Sequence, residues 1–335
     1  YYYGKSGKGD FRKDDLPQNR WQLFWAMLRV RLSGLCRLNL TVFAVWLPLI
    51  ILIGRSVLQL IDGLAVFSLY EHYLATGEMG EHLTAEAIAA LEAQMNGAST
   101  GSLLVDLFQG TLSSFCLWCI PCILITGPVQ CGLAYVSRNW ARDEHAFAWS
   151  DFKDAVKANW KQGLVISGIT SLMPIVVYTS WMYYGQMAEQ NMIFMVPQML
   201  VVTMALVWML SLVFMYPIIV QYEVKTMALI KNGLMLAVAR LPQTVGIRLL
   251  TLVPALIAVA VFYFTFSEIS LLILAFYYIL IGFALVRFIF ASFTNGVFDK
   301  FINAKMEGVE VNRGMATDLD DDDDDEEDDE TLLSE

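Results

Sequence analysis

The sequence predicts an all-α integral membrane protein with six transmembrane helices and both termini in the cytoplasm. Three observations support this prediction: a large apolar fraction, six long runs without charge, and lysines and arginines that lie on one side of those runs. Apolar residues make up 57% of the 335 residues and charged residues only 16%, whereas a soluble domain holds about 45–50% and about 25% respectively. The composition therefore excludes an ordinary soluble globular protein.

The predicted spans follow from six runs of 17 or more residues that lack Asp, Glu, Lys and Arg. A helix of about 20 apolar residues crosses the hydrocarbon core of a bilayer. The backbone must be helical there because no water can satisfy its polar groups. The predicted transmembrane helices lie near 39–60, 108–136, 163–184, 194–220, 249–267 and 269–292. A tight turn at Ser267 and Glu268 joins the last two, and the whole predicted domain covers 38–293.

Lysine and arginine determine the predicted orientation, because cytoplasmic loops carry the excess of these residues. Of the 22 cations, 20 lie in four segments, 1–40, 137–161, 221–248 and the stretch after the last span. The main loop on the other side, 61–107, holds none. Both termini are therefore expected in the cytoplasm. The polar start of the chain predicts no signal peptide.

The cytoplasmic N-terminal segment is predicted to cover 1–37. Residues 1–20 are rich in Gly, Lys and Asp and are expected to be loosely ordered. Residues 21–37 interleave apolar side chains with arginines, as does a helix on the inner membrane surface whose cations face anionic lipid. An early start of the first transmembrane helix explains the same pattern, and both interpretations stay open at this point.

The predicted outer loop, 61–107, is expected to contain one short helix. Thr84 is a typical N-cap residue, Glu86 places an acid in the first turn, and Ala-rich 85–95 favours a helix. The loop holds seven acids and no lysine or arginine. We interpret this acidic surface as solvated, and a site for a cation or a partner is the alternative.

Two inner loops are each expected to contain an amphipathic helix, at 151–162 and 224–241. Their apolar positions are Phe152, Ala155, Val156 and Trp160 in the first helix, and Met227, Ile230, Leu234 and Val238 in the second. Each helix follows one span and leads into another, which indicates a weak internal repeat of two parallel units. A structural hinge or a transport path between these repeats would lie near Gly127, Pro128 and Pro217.

The cysteines are the strongest candidates for a metal or redox centre. Cys116, Cys119 and Cys122 have the C-x2-C-x2-C spacing of part of an iron–sulfur motif. They lie along one stripe of an apolar helix that contains Pro121, where thiolates would be costly, so we interpret them as packing residues. Nucleotide-binding and hydrolase motifs are lacking. The sequence predicts no enzyme, no cofactor and no metal.

Two arginines fall inside or at the edge of predicted spans. Arg55, at the outer end of the first span, is expected to form a structural ion pair, with Asp62 as a candidate partner. Arg287 is near the inner end of the last span, from which its long side chain can extend to the cytoplasm. The spans lack the deep acids that are typical of ion-coupled transporters, which counts against active transport.

The net charge of −11 arises from the C-terminal tail. Residues 318–335 hold 13 of the 33 acids and no base, so the remaining chain holds 20 acids and 22 bases. Self-repulsion predicts a disordered tail, which follows a cytoplasmic extension at 294–317. A nearly neutral body lacks the basic face of a nucleic-acid-binding protein, so no nucleic acid is expected as a partner.

Strings spread over the whole chain resemble the YesL family of bacterial membrane proteins, whose domain has no established function. They are Tyr1-Tyr-Tyr-Gly-Lys5, Arg37-Leu-Asn-Leu40, Gly127-Pro128, Tyr135-Val-Ser-Arg-Asn-Trp140, Asp151-Phe152, Asn159-Trp-Lys-Gln162, Asn232-Gly233 and Ala239-Arg-Leu-Pro242. The end, Val297-Phe-Asp-Lys-Phe-Ile-Asn303 followed by acids, resembles clostridial members. The resemblance implies a place in the bacterial cell membrane and an accessory role beside an ATP-driven oligosaccharide importer.

The leading hypothesis is therefore a non-catalytic accessory or regulatory subunit of such an importer, with the lipid bilayer and importer subunits as partners. Its candidate partner-docking residues lie on the two inner helices: Trp160, Lys161, Gln162, Arg240 and Pro242. The alternative is a stand-alone channel or passive transporter whose path lies between the two parallel repeats. The sequence leaves the oligomeric state open.

Overall fold

A computed structural model of the protein describes residues 16–78, 84–95, 100–265, 269–306 and 308–316. In these ranges the chain forms ten α-helices and no strand. The helices are α1 (Arg20–Thr76), α2 (Ala85–Met95), α3 (Thr100–Leu124), α4 (Thr126–Ala141), α5 (Ser150–Gln190), α6 (Met195–Gln221), α7 (Thr226–Ala239), α8 (Leu241–Thr265), α9 (Ile269–Tyr277) and α10 (Phe283–Phe301). A π-helical segment, Tyr278–Gly282, joins α9 to α10.

Six helical stretches are long and apolar enough to cross a membrane. They are Arg20–Thr76, Gly101–Leu124, Ser150–Gln190, Met192–Gln221, Leu241–Thr265 and Ile269–Lys305. Each contains most or all of one predicted span, except that the second predicted span, 108–136, is divided between α3 and α4. The all-α class and the number of spans agree with the prediction, and they support a multi-pass membrane protein.

The first helix is much longer than the predicted first span. α1 continues over 57 residues without interruption, about 86 Å at 1.5 Å per residue. The apolar and basic stretch at 21–37 and the first span are therefore one helix, as in the second of the two interpretations above. Pro48 lies inside this helix without ending it, although proline cannot donate a backbone hydrogen bond.

Helices occupy most of the predicted outer loop, 61–107. α1 reaches Thr76, after which Gly77 adopts a left-handed conformation with φ 73°, as is usual at a helix C-terminus. α2 follows Thr84, whose hydroxyl oxygen accepts a hydrogen bond from the Ala87 N–H at 3.2 Å. The predicted cap and the predicted helix at 85–95 are thus confirmed. A small apolar cluster of Tyr70, Ile88 and Leu103 packs α1, α2 and α3 together.

The break between α3 and α4 is a consequence of Pro128. Proline has no N–H, so the carbonyl of Leu124, four residues earlier, loses its helical donor. The Ser167 hydroxyl on α5 donates to that carbonyl at 2.8 Å instead. This replacement follows the rule that backbone groups in apolar surroundings need a partner.

α5 joins the first predicted inner helix to the third span. One side of its first turns is buried at Phe152 and Ala155, whereas Trp160 is exposed. Gly132 on α4 allows close packing there, because an added Cβ would lie 2.6 Å from the Phe152 ring. The two elements that were predicted separately are therefore one helix of 41 residues.

α7 corresponds to the second predicted inner helix and ends at Ala239, with Arg240 as its C-cap. Its buried residues are Leu229, Gly233 and Ala237, and an added Cβ on Gly233 would lie 2.6 Å from the Met215 side chain. Met227 and Val238, two of its predicted apolar positions, are exposed. Small residues let the helix backbone approach its neighbour closely, so the buried side of α7 is not the side with its largest apolar residues.

The π-helical segment in the last span is held by a single side chain of α1. Asn39 is fully buried, and its amide N–H groups donate to the carbonyls of Tyr278 at 2.9 Å and Ile279 at 2.7 Å. Its Oδ1 accepts the N–H of Ala284 at 3.0 Å. The wider π turn departs from the α-helical hydrogen-bond pattern, and the Asn39 side chain forms hydrogen bonds with two carbonyls and one N–H in and beside this turn.

The chain divides into two compact units. The first contains the described residues of Tyr1–Phe43, Pro128–Gly163 and Met209–Glu335, and the second contains those of Ala44–Gly127 and Leu164–Trp208. An apolar core of the first unit lies around Leu35, Leu38, Leu133, Val136 and Phe288. The polar network and the groove described next also lie in the first unit.

Candidate functional site

Asp299, near the end of α10, is the centre of a buried polar network. Its carboxylate forms ion pairs with Arg20 at 2.7 Å and with Arg142 at 3.4 Å, and its side chain is only 3% exposed. It also accepts hydrogen bonds from the Asn303 side chain at 2.6 Å and from the Asn312 backbone at 3.2 Å. Four donors around one carboxylate compensate for the loss of its hydration.

Glu144, after the end of α4, extends this network. Its carboxylate lies 3.2 Å from Arg142 Nε and 3.8 Å from Arg138, and Arg313 approaches it to 3.8 Å. Burial lowers the pKa of the Arg138 guanidinium, and the neighbouring Glu144 carboxylate opposes that effect. Glu144 thus offsets part of the positive charge that Arg138 and Arg142 bring into the network.

Tyr222 and Gln221 connect the end of α6 to the same network. The Tyr222 hydroxyl donates to Asn303 Oδ1 at 2.7 Å, and Arg138 Nε donates to the Gln221 side chain at 3.3 Å. Burial raises the pKa of Tyr222 to about 12, so the phenol is protonated at neutral pH and remains a donor. The network therefore fixes the ends of α1, α4, α6 and α10 to one another.

A groove of about 820 Å³ lies beside this network, between α1, α8 and the last helix. Ligand sites typically have volumes of about 300–1,000 Å³ and mostly apolar walls. The walls here include Trp21, Phe24, Leu250, Pro254, Leu285 and Ile289. Size and lining are therefore those of a site for an elongated apolar molecule or an apolar chain.

Three cations line the same groove: Arg20, Arg240 and Lys300. The Arg240 guanidinium lies 4.4 Å from the centre of the Phe301 ring, and Lys300 Nζ lies 5.9 Å from it. Arg20 reaches the same end of α10 through Asp299. The three cations therefore meet at one end of the groove, where α10 ends and α8 begins.

Arg287 lies in the middle of the first unit's helices rather than at an aqueous surface. The sequence allows its side chain to extend to the cytoplasm, but the residue is only 9% exposed. The Nε–H donates to Gln130 Oε1, and the guanidinium lies 4.6 Å from the Tyr216 ring. Its Nη1 has no hydrogen-bond partner among the described residues. The Gln130 amide and the π face of Tyr216 therefore stabilise this cation, which has little contact with water.

The first group of predicted docking residues divides by role. Trp160 is 46% exposed, and Lys161 Nζ lies 5.7 Å from its ring. Gln162 donates to the Val224 carbonyl at 2.8 Å and so connects α5 to the segment before α7. Trp160 and Lys161 are thus available at the surface, whereas Gln162 has an internal structural role.

The second group, Arg240 and Pro242, lies at the junction of α7 and α8. Pro242 is exposed in the first turn of α8, where a proline requires no helical donor. Arg240 is partly buried, contacts Gln243 at 3.5 Å and lines the groove. Arg240 therefore belongs to the lining of the groove, which does not include Trp160.

Gly127, Pro128 and Pro217, which were predicted as a structural hinge or a transport path, lie in two different helices. Gly127 and Pro128 lie in the first turn of α4, and Pro217 lies inside α6. Gly127 and Pro217 are buried. Their role as a path stays a prediction.

The predicted pair Arg55 and Asp62 lies on α1, where both residues are exposed. They are seven residues apart, about two helical turns or 10 Å along the axis. The ion pairs found among the described residues do not include one between them, and their pairing stays a prediction.

The cysteines of the candidate redox motif lie on α3. Cys116 and Cys119 are buried and Cys122 is partly buried. Among the residues that the structure describes, no group of three or more His, Cys, Asp and Glu side chains is placed to hold a metal ion.

Sequence reasoning missed Asp299 and Asn39 as organising residues. Asp299 is the only acid in 269–306 and stands beside a long apolar run, and Asn39 precedes a long apolar run in the first span. A lone acid or amide in such a position was a usable signal, because polar groups at membrane depth need a specific partner. The distant partners had no local signature, because Arg20 and Arg142 are 279 and 157 residues from Asp299 and Tyr278 is 239 residues from Asn39.

Comparison with known proteins gives one match. Residues 109–181 match the family model described as "Protein of unknown function, DUF624", and this is the YesL-type family of unknown function. The matched segment covers most of α3, all of α4 and most of α5. No curated protein and no solved structure matches the chain. The match supports the family resemblance over this segment.

Proposed function

We propose that this chain is a non-catalytic accessory or regulatory subunit in the bacterial cell membrane, with both termini in the cytoplasm. By the family resemblance, its partner is the membrane part of an ATP-driven oligosaccharide importer. The observation that carries the proposal is the exposed side of the first turns of α5, which includes Trp160. That side lies in the segment that matches the family model.

The start of α5 has the two sides of a docking helix. Phe152 and Ala155 are buried, with Phe152 packed beside Gly132 of α4, whereas Trp160 exposes almost half of its surface. Lys161 follows it directly and Lys157 lies three residues before it, and both lysines are exposed. An exposed tryptophan among polar residues is a frequent energetic centre of protein interfaces. This surface, defined by Trp160 and Lys161, is the proposed primary docking surface.

α7 supplies a second apolar surface. Met227 is 77% exposed, Met235 59% and Val238 57%, and their spacing places them on one side of the helix. Methionine side chains adapt to irregular partner surfaces. We therefore propose the surface around Met227 and Met235 as the second docking surface. The proposed docking surfaces do not include Gln162, because its side chain donates a hydrogen bond to the Val224 carbonyl.

The test is co-purification of the tagged chain with the importer from native membranes. Trp160→Ala should reduce the recovered importer by about tenfold or more, since an interface tryptophan at the energetic centre contributes about 2 kcal/mol or more. Trp181→Ala is the matched control, because Trp181 is also 46% exposed and lies further along α5. Equal recovery with Trp160→Ala and with the parent chain would refute the docking surface.

A channel or passive transporter is the competing proposal. Flux of a radiolabelled sugar into liposomes that contain only this protein, unchanged by Trp160→Ala, would favour it. Absence of flux together with loss of co-purification in Trp160→Ala would favour the accessory subunit.

A further inference from the structure

We propose that the groove between α1, α8 and the last helix binds one anionic phospholipid. The phosphate would lie near Arg240 and Lys300, and one acyl chain would lie along Leu250 and Ile289. This inference does not depend on the proposed docking function, because it rests on a different surface.

The basic end of the groove holds positive charge that its neighbours do not neutralise. Arg20 is paired with Asp299 at 2.7 Å, and Arg142 lies between Asp299 and Glu144, so the charge that is left without an acid is that of the other two cations of this end. The ion pairs of the described residues include none with Arg240 or Lys300. A phosphate is the natural complement, because arginine and lysine form strong charge-assisted hydrogen bonds with its oxygens.

The rest of the groove is suited to an acyl chain. From Arg240 to Pro254 the helix rises about 21 Å, and Pro254 and Leu285 lie at the far end from the cations. One leaflet of the hydrocarbon core is about 15 Å thick. The apolar part of the groove therefore has the length of a chain that enters from the lipid surface and reaches the middle of the bilayer.

The tryptophans near the cations place that end at the membrane surface. Trp21 is 65% exposed and Trp25 43%, and both line the groove beside Arg20. Tryptophan is enriched at the level of lipid headgroups. An anionic headgroup at this level would be in reach of Arg20, Arg240 and Lys300, which lie at one end of the groove.

A phospholipid explains the groove better than a soluble anion does. Inorganic phosphate would occupy only the basic end and would leave the apolar walls at Leu285 and Ile289 without a partner. A bilayer supplies both parts of the ligand in one molecule, and the anionic inner leaflet attracts exposed Lys and Arg side chains. The selectivity should therefore be for a negative headgroup on an ordinary acyl chain.

The experiment is native mass spectrometry of the full chain after removal of lipid in detergent. Phosphatidylglycerol and phosphatidylcholine with identical acyl chains are titrated separately, and bound lipid is counted. The parent chain should bind one phosphatidylglycerol with a clear preference over phosphatidylcholine. The double variant Arg240→Gln with Lys300→Gln should lose about tenfold or more of its phosphatidylglycerol affinity and little of its phosphatidylcholine affinity.

Four further variants test the charge and the apolar part of the groove separately. Lys231→Gln removes an exposed cation of α7 outside the groove and should leave the preference for phosphatidylglycerol unchanged. Arg240→Lys keeps a cation in the groove and should retain most of that preference. Ile289→Trp fills the apolar part and should reduce binding of both lipids. Leu250→Phe serves the same purpose if Ile289→Trp does not yield folded protein.

Three results would overturn the proposal. They are equal binding of the two lipids by the parent chain, an unchanged preference in the double variant, and inorganic phosphate that binds as tightly as phosphatidylglycerol. The last result would identify a soluble anion site at the basic end. Retention of both lipids by folded filled-groove variants would also reject the position proposed for the acyl chain.

Discussion

The Asp299 carboxylate accepts interactions from Arg20 on α1, from Arg142 after α4, and from Asn303 and Asn312 beyond α10. None of these groups is near Asp299 along the helix except Asn303, so the carboxylate depends on the tertiary structure for its compensation. Breaking a buried ion pair from one side leaves the other charge buried without a partner. The stability of this end of the first unit therefore depends on one acid.

Asp299→Asn tests this dependence. The amide has nearly the same shape but no charge, and its NH2 group faces donors, so the free energy of unfolding should fall by about 3–5 kcal/mol. The measurement is thermal or denaturant unfolding of the purified protein in detergent. Glu310→Gln is the matched control, because Glu310 is 70% exposed in its ion pair with Arg313 and should change stability by less than about 1 kcal/mol. Similar losses in the two variants would contradict the buried network.

For single residues, local pattern indicated a helix cap but not the long-range partners of buried side chains. Trp160 was expected at a surface and is exposed, and the Thr84 cap is present. Arg287 could reach the cytoplasm from its place in the sequence, but it is buried beside Gln130 and Tyr216. A partner pair separated by 157 residues has no local pattern, so sequence alone could not identify it.

The π-helical segment shows how one helix determines the form of another. Tyr278–Gly282 departs from the α-helical pattern in the last span, and Asn39 on α1 pairs three backbone groups around it. Periodicity along 269–292 indicated a continuous span and gave no sign of the wider turn. The departure is stabilised from outside the helix, by a residue more than 230 positions earlier.

Asn39→Leu should destabilise this segment. Two carbonyls and one N–H would lose their partner in surroundings without water, with an expected cost of about 2–4 kcal/mol. Hydrogen exchange of the peptide that contains Ala284 should become faster, and the thermal midpoint should fall. Thr41→Val is the control, because the Thr41 hydroxyl is exposed and bonds only to the Arg37 carbonyl in its own helix. Unchanged exchange at Ala284 in Asn39→Leu would show that the amide does not hold the segment.

The length of α1 could not be predicted from local sequence pattern either. Charged residues at 29–37 and 62–71 marked the predicted ends of the first span, since they are costly in lipid. A helix does not have to end where a membrane ends, and α1 continues on both sides of its apolar part. Hydropathy therefore located the apolar part of this helix but did not locate its termini.

At the scale of the whole molecule, the distribution of 20 of 22 cations predicts the topology. The acidic tail hides this distribution in the net charge of −11, because 13 acids lie in 318–335. Without the tail, the chain has a nearly balanced charge and a strong asymmetry between its loops. The positive-inside rule counts lysine and arginine, so the tail does not alter the expected orientation.

Cysteine labelling of intact cells tests this topology. In a background without the five native cysteines, Glu86→Cys should react with a membrane-impermeant maleimide in intact cells. Glu310→Cys should react only after the membrane is permeabilised, because its segment is predicted in the cytoplasm. Both residues are exposed, so accessibility within the protein does not limit the reaction. Labelling of Glu310→Cys from outside would reverse the predicted orientation.

The class of the protein, the number of apolar spans, the Thr84 cap and the expected orientation all follow from the amino-acid sequence. Each of these depends on local composition or on a count of charges, which a chain carries regardless of how it folds. Three features appear only in the folded chain: the pairing of Asn39 with the π-helical segment, the joining of four segments by Asp299, and the meeting of Arg20, Arg240 and Lys300 at one end of an apolar groove. Those features depend on which distant helices pack together, and packing brings into contact residues that no local pattern connects.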